Sequence, residues 1–359
     1  MATHIRPLRE DDLDAVAELL LRVYPHHAWA SSAACARYLH EVLFGHPWRD
    51  LDIPSWVAEE GAHLCGVYAL MPRRMRLGTR PVTVAVGCQF MVDEPRRRGL
   101  VGLQLARACL RGPQDLMIAD GATDAMRRLW SHLGGTLPVG LNLHWTRVLR
   151  PMRFALSRAG GGALAAAARP MAALVDGTAS RLRPNRFLRV DGEGFERDLD
   201  GQTATEHLPL MVPNTVLRPD YDASSFDWLV AQTARHQGRG RLRRRAVYDD
   251  RGRLLGWYLY FLRPGAVGEV VQLAAHGDAF AQVLDHLLVD AWRHGASALR
   301  GRFDARQALA LAQRHCWARA EGPWTGFFAR DPAVAEALLR GDVFFSHLDG
   351  EWWLAPLGR

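Results

Sequence analysis

Residues 82–110, VTVAVGCQFMVDEPRRRGLVGLQLARACL, constrain the fold more than any other part of the chain. An apolar run rich in β-branched residues stops at Asp93-Glu94-Pro95. A basic loop with Gly99 and Gly102 follows, and then Leu100, Leu103, Leu105, Ala106, Cys109 and Leu110 recur at helical spacing. The pattern predicts strand, glycine-containing loop, helix. Gly99 lets the chain turn without a Cβ penalty, and the first helical N–H groups lack intrahelical partners, so the loop is a natural seat for an anion such as a pyrophosphate. Two glycines before a helix are also what any tight turn of this kind needs, and these residues alone leave both readings open.

Length suits two cores better than one: 359 residues divide into halves of about 170, each able to bury a substantial interior. No run of about 18 apolar residues is free of charge, and the opening MATHIRPLREDD has no apolar signal segment, so a soluble cytoplasmic protein is expected. Cys35, Cys65, Cys88, Cys109 and Cys316 are scattered without a CxxC pair, which argues against a disulfide framework or a zinc ribbon. His26-His27 lacks a spaced third ligand and reads as loop, and no other spacing supports a metal. The net charge is +7, from 45 basic and 38 acidic residues, and every basic residue is arginine. Complete replacement of lysine points to coding composition rather than to nucleic-acid binding, although basicity favours anionic partners.

Residues 5–24 predict a short strand and a helix, capped by Asp11 or Asp12, with Leu13, Val16, Leu19, Leu20 and Val23 as its apolar stripe. Residues 55–60 with 65–71, and 73–77 with 82–92, read as hairpins. Residues 115–120 read as a buried strand. Thr123 caps a helix over 124–133 that Gly134-Gly135 ends, and 141–149 forms a closing strand. From 151 to 184 the composition shifts to Ala, Gly and Arg, which predicts a helical linker; sparse arginines and a lack of large aromatics disfavour a membrane-surface helix. Beyond Asn185 the chain reads as a hairpin (243–248 and 254–262), a strand (268–275), a helix (280–292), a strand (298–302), a helix (305–315) and late strands at 327–328 and 343–345. This order repeats the first half.

The loop from Arg96 to Gly102 resembles the acetyl-CoA loop of the GNAT N-acetyltransferase superfamily, (Q/R)xxGx(G/A): Arg96 and Gly99 match, and Val101 stands where the family has Gly or Ala. The opening RPLREDD with its amphipathic helix is similar to the family's first unit. TDAMRRLWSHLGG, residues 123–135, resembles its NxxAxxLYEKLGF signature, with Thr123 for Asn, Met126 for Ala and Trp130 for Tyr. The resemblance covers about the first 150 residues. It implies an α/β protein with mixed sheets, built as two tandem GNAT-like domains: 1–150 binding the acyl-CoA, 151–184 as linker, and 185–359 as a degenerate second copy. Acetyl-CoA would be the donor and no metal would be needed. Main-chain N–H groups of Arg96, Arg97, Arg98, Gly99, Leu100, Val101 and Gly102 would hold its pyrophosphate, with Thr123 nearby and the amides of Met91 and Val92 stabilising the oxyanion. The implied reaction is transfer of the acetyl group to an amine of a small molecule, sugar or peptide. Rival readings are a non-catalytic CoA-binding or scaffold protein, and a cell-envelope sugar- or peptide-modifying transferase.

Asp120, at the end of its strand, is the candidate general base, with turn capping as the alternative role; Asp93 is a poorer choice. Trp130 has no acid function near neutral pH, so the departing thiolate needs another proton source. His144, Cys88 and Gln89 lie near the expected cleft, the histidine with its parity open. At the equivalent loop of the second half, Ala275-His276-Gly277-Asp278 is acidic and would oppose a pyrophosphate. Arg239, Arg241, Arg243 and Arg245 alternate, as either a solvated edge strand or a basic rail for an anionic ligand. Trp317, Trp324, Trp352 and Trp353 would form either a core lid or a sugar-stacking platform.

Overall fold

The computed structural model describes residues 3–24, 29–158, 170–172, 174–178, 194–213, 216–352 and 354. His26, His27, Asn185, Trp353 and most of the Ala- and Gly-rich segment lie outside them. Two mixed sheets carry the fold. The first contains β1 (His4–Pro7), β2 (Trp56–Glu60), β3 (His63–Leu77), β4 (Arg80–Val92), β5 (Leu116–Ala122) and β14 (Trp324–Ala329) in that spatial order, with β8 (Leu217–Pro219) pairing to β3. The second runs β13 (Trp317–Ala320), β6 (Leu143–Val148), β12 (Ala298–Arg302), β11 (Val267–Ala275), β10 (Leu254–Leu262), β9 (Arg241–Tyr248), β7 (Phe195–Arg197).

The predicted strands at 65–71 and 73–77 are one 15-residue strand, β3, which continues through Pro72. Leu70 N–H turns to the Ser55 hydroxyl at 2.9 Å, on the edge facing β2, and Pro72 two residues on presents its nitrogen to the same edge. The pairing with β2 has already ended at Tyr68, so the missing N–H costs no ladder bond. A helix unforeseen in the sequence, α2 (Ser32–Leu43), is capped by Ser31 and packs on α1 (Leu13–Val23).

Helices α3 (Val101–Leu110) and α4 (Asp124–His132) cover one face of the first sheet, closing a core of Tyr68, Leu70, Ala85, Leu105, Met117 and Trp130. The opposite face does not meet solvent. Val67, Met71, Val84 and Val86 share a single core with α1, α2, α6 (Gly201–Met211), α7 (Ala223–Ala234) and Trp257, Leu259 and Phe261 of β10. The alternate residues Tyr258 and Tyr260 pack on the far side against α8 (Phe280–Arg293). Period-2 alternation on strands buried on both faces therefore builds three layers of core, and the middle one belongs to both halves.

Sheet membership departs from chain order at β6, β14 and the short β8 already noted on β3. β6, expected to close the first sheet, pairs instead with β12 and β13 of the second, while β14, late in the second half, pairs antiparallel with β5 of the first. Asn142 ties the crossing together, its amide donating to Thr325 O (2.9 Å) and its carbonyl accepting from Thr325 N (2.7 Å). The linker begins as the predicted helix, α5 (Pro151–Arg158), and residues 343–345 form no strand beyond a bridge from Val343 to Leu217. Two later helices, α9 (Ala308–Gln313) and α10 (Pro332–Arg340), flank the second sheet and the late crossing. No helix among the described residues is long and apolar enough to cross a membrane.

Candidate functional site

β4 and β5 pair in parallel from Val84 with Leu116 to Gly87 with Ala119, and then separate. Gly87 sits at the apex because the Tyr68 ring lies on it: a Cβ there would meet the phenolic oxygen at 2.5 Å. Two residues on, Gln89 adopts a left-handed φ of 49° and is skipped in the pairing of β3 with β4, a bulge that turns its amide out of the ladder. The opening is a cavity of ≈ 310 Å³ lined by Tyr68, Gln89, Phe90, Asp120, Gly121 and Thr123 from the sheet and its following turn. Its other wall comes from far along the chain, through His236, Arg239, Glu351 and Trp352.

None of residues 96–102 lines this cavity; the predicted loop adjoins it through Gly102, where a Cβ would lie 3.3 Å from the ring of Phe90 in the cavity wall. Asp93 caps the first turn through Glu94 N (3.1 Å), Arg96 N and Arg97 N bond back to Asp93 O and Glu94 O, and Gly99 N to Arg96 O. Arg97, Arg98, Gly99 and Leu100 are exposed, but the amides of Arg96, Arg97 and Gly99, expected to hold a pyrophosphate, are engaged by these bonds within the turn. The Arg96 side chain turns away to Glu60 at 2.8 Å, which raises its pKa, and it braces the loop against β2. The Arg97 guanidinium caps Val92 O (3.1 Å). Val101, the departure from the family pattern, is buried beneath α3; a Cβ on Gly66 of β3 would lie 3.3 Å from its methyl. It packs inward and leaves the phosphate side clear. Thr123 caps α4 as expected, accepting from Met126 N at 3.3 Å.

Strand alternation separates the two expected oxyanion donors. Asp93 N bonds Cys65 O of β3, so the amide of Met91, two residues earlier, points to β3 as well, whereas Val92 and Phe90 turn theirs toward the opening. Trp130 is buried, with its indole N–H beside the Tyr68 hydroxyl; burial pushes that hydroxyl's pKa well up. The position the family gives to a tyrosine on α4 is thus approached by a phenol from β3.

Asp120 does reach the cleft, but its Oδ1 is already engaged by Arg302 of β12 (2.7 Å) and the Thr325 hydroxyl of β14 (2.6 Å); Asp120 and Thr325 are buried and the Arg302 side chain is largely covered. Gly350 lies so close to its other oxygen that a Cβ would overlap it. This carboxylate clamps the crossing between the sheets. The carboxyl with a freer position is Glu351, half-buried, bonded to the Gln89 amide; burial and the neighbouring Asp120 push its pKa well above the ordinary glutamate range. It follows a turn in which Asp349 accepts from Ser346 N (2.7 Å), Ser346 Oγ (2.6 Å) and the Tyr221 hydroxyl. Tyr68 and Gly87 had a faint sequence signal, an interior strand glycine that demands close approach. Glu351, more than 200 positions from β4, had none.

Other candidates disperse. His144 is buried in the second sheet, stacked on His347 with ring centroids 5.6 Å apart, and burial lowers its pKa to about 3. Cys88 is a core residue whose thiol burial pushes well up. Three of the four rail arginines are paired, Arg243 with the buried Asp290 of α8 (2.7 Å), Arg245 with Asp198 and Arg239 with Glu269, while Arg241 is exposed. Trp317 packs on Phe154, Trp324 bonds Asp124 (2.8 Å) and Trp352 stacks on His347, so no shared platform forms from these three. Among the described residues no cluster of three His, Cys, Asp or Glu could hold a metal.

A parallel pair that splays beside a bulge precedes an exposed basic loop and a helix. Solved structures similar to this chain show that its fold is that of the GCN5-related N-acetyltransferases. A probable N-acyltransferase from Enterococcus faecalis superposes with a TM-score of 0.62 over 91% of this chain and 72% of its own, at 9% identity. A GCN5-related N-acetyltransferase from Kribbella flavida gives 0.57 over 94% and 73%, at 16% identity. The Saccharomyces cerevisiae N-myristoyltransferase, solved with bound myristoyl-CoA, gives 0.50 over 90% and 77%, at 11% identity. Neither family models nor curated proteins match this sequence.

Proposed function

We propose that this chain is an acyl-CoA-dependent N-acyltransferase that moves an acetyl group from acetyl-CoA to an amine. The observation that carries this reading is the separation of β4 from β5 beyond Gly87, with residues 97–100 exposed and Gly102 packed on Phe90 of the cavity wall. The residues fit the donor: a left-handed bulge and a glycine apex shape the floor, the buried Val101 leaves the loop surface clear, and the first amides of α3 lack intrahelical partners. The Val92 amide, turned away from β3, is our candidate donor to the carbonyl oxygen as it gains charge. Tyr68 at the apex limits how deep an acyl group reaches, which favours a short acyl chain over a long one. Calorimetric titration with acetyl-CoA tests the reading. Micromolar binding that Gly99→Trp abolishes supports it, and equal affinity in the two proteins rejects it.

A CoA-binding protein without turnover is the second reading, favoured by the burial of Trp130 where the family has an acidic hydroxyl. Binding of acetyl-CoA with no thiol release across an amine panel would select it.

A further inference from the structure

We propose that Glu351 is the general base that takes the proton from the acceptor amine. This rests on the acyltransferase reading above. Glu351 spans the opening: its carboxylate accepts the Gln89 amide on the β4 side, and on the β5 side it lies where a Cβ on Gly121 would approach Oε1 to 2.6 Å. Gly121, with a φ of 142°, is thus shaped to admit it. The segment that carries Glu351 is held on both sides. His347 N bonds Val271 O (3.0 Å), the Ser346 hydroxyl accepts from Gln272 (3.1 Å), and Trp352 stacks on His347 with ring centroids 4.5 Å apart. A carboxylate fixed in this way loses little entropy when it meets a substrate. Asp120, engaged by Arg302 and Thr325, is a positioning residue that keeps β5, β12 and β14 in register around it.

In the step itself Glu351 accepts one proton from the acceptor ammonium, R–NH₃⁺, and becomes a carboxylic acid. The freed nitrogen lone pair forms the C–N bond at the thioester carbonyl, whose π pair moves to oxygen and is held by the Val92 amide. When that pair returns, the C–S bond breaks and the thiolate leaves, taking the second nitrogen proton through water; Glu351 then releases its proton to solvent. The titratable and charged groups facing Glu351 are Asp120 from β5, Tyr68 from β3, Cys88 from β4, Tyr24 beyond α1, and His236 and Arg239 beyond α7.

The test compares wild type, Glu351→Gln and Glu351→Asp for acetyl-CoA binding by calorimetry and for thiol release with an amino sugar, a dipeptide and an arylalkylamine, across pH 5–9. Glu351→Gln is expected to bind acetyl-CoA within about twofold of wild type and to lower kcat by about 10²–10³, with the acid limb of the profile flattened and Glu351→Asp regaining part of both. Glu351→Gln retaining kcat within about threefold and the same acid limb overturns the assignment. So does a loss of activity that merely follows a lowered melting temperature. Wild type that binds acetyl-CoA yet acylates none of the three amines removes the base role and leaves donor binding intact. Wild type that binds no acetyl-CoA removes both.

Discussion

The molecule contains two strand pairs built to the same plan, and they part in opposite ways. β4 and β5 separate after Gly87 into an opening, and β4 runs on into a loop of three arginines and two glycines. β11 and β12 pair in parallel from Val267 with Ala298 to Glu269 with Arg300 and then also separate, but residues 343–346 run through the gap and line its ≈ 510 Å³ cavity. The loop beyond β11 is the short His276-Gly277-Asp278-Ala279, with an acidic residue where the first has arginine. One strand pair is followed by a basic, glycine-containing loop and the other by an acidic one. The segment that lines the second gap goes on to deliver Glu351 to the first.

The contact that couples the two openings is the Asp120–Arg302 pair, and removing one partner leaves the other charge buried. Arg302→Met is expected to destabilise the fold by about 3–5 kcal/mol, read as a large drop in the urea midpoint. A midpoint unchanged within error would show that the openings are independent. Next in size is the loop itself. Gly99→Trp on the exposed turn should weaken acetyl-CoA binding at least about 30-fold, some 2 kcal/mol, with the melting temperature nearly unchanged. Equal weakening by a bulky residue at Gly277 would erase the contrast between the loops.

Acid stability gives a further test. His347 and His144 lie between the openings, both neutral in the fold: burial and Arg302 hold His347 well below its ordinary range and His144 at about 3. His236, beside the first opening, is held at about 4 by burial and Arg239. Unfolded histidine binds its proton near pH 6.5, so the stability these groups contribute is present above that pH and is lost as the pH falls from there toward 4. Each adds a slope of about 1.4 kcal/mol per pH unit. Chemical denaturation at pH 7, 6 and 5 checks this, and His144→Gln should flatten the slope by one proton. The smallest effect is expected at Asp278→Asn, which should leave acetyl-CoA affinity within about twofold of wild type; a clear gain would show that the second loop reaches the donor.

Much of the first unit was legible in the chain. Alternation, the glycine-containing loop and the Thr123 cap are local patterns, and local patterns survive into the structure because each fixes its own few dihedrals and hydrogen bonds. Val101 looked like a departure near the phosphates, but its direction depends on Gly66, 35 positions earlier. Asp120 looked like a base, and only the arrival of Arg302 and Thr325 engages it otherwise. The arginine rail was a true alternation whose partners, Asp198, Glu269 and Asp290, no spacing could reveal. Strand pairing beyond near neighbours is set by which face must be buried, and the sequence of β6 fits either sheet.

The residues alone determined that the chain would form strand, glycine-containing loop and helix over 82–110, since backbone freedom at glycine and apolar periodicity need no distant partner. The tertiary structure alone decided that β6 and β14 trade sheets, that the middle core is common to both halves, and that a carboxyl from position 351 enters the opening beside β4. Those outcomes follow from burying both faces of each sheet and from satisfying every polar group the crossing encloses, conditions met only when distant segments come together.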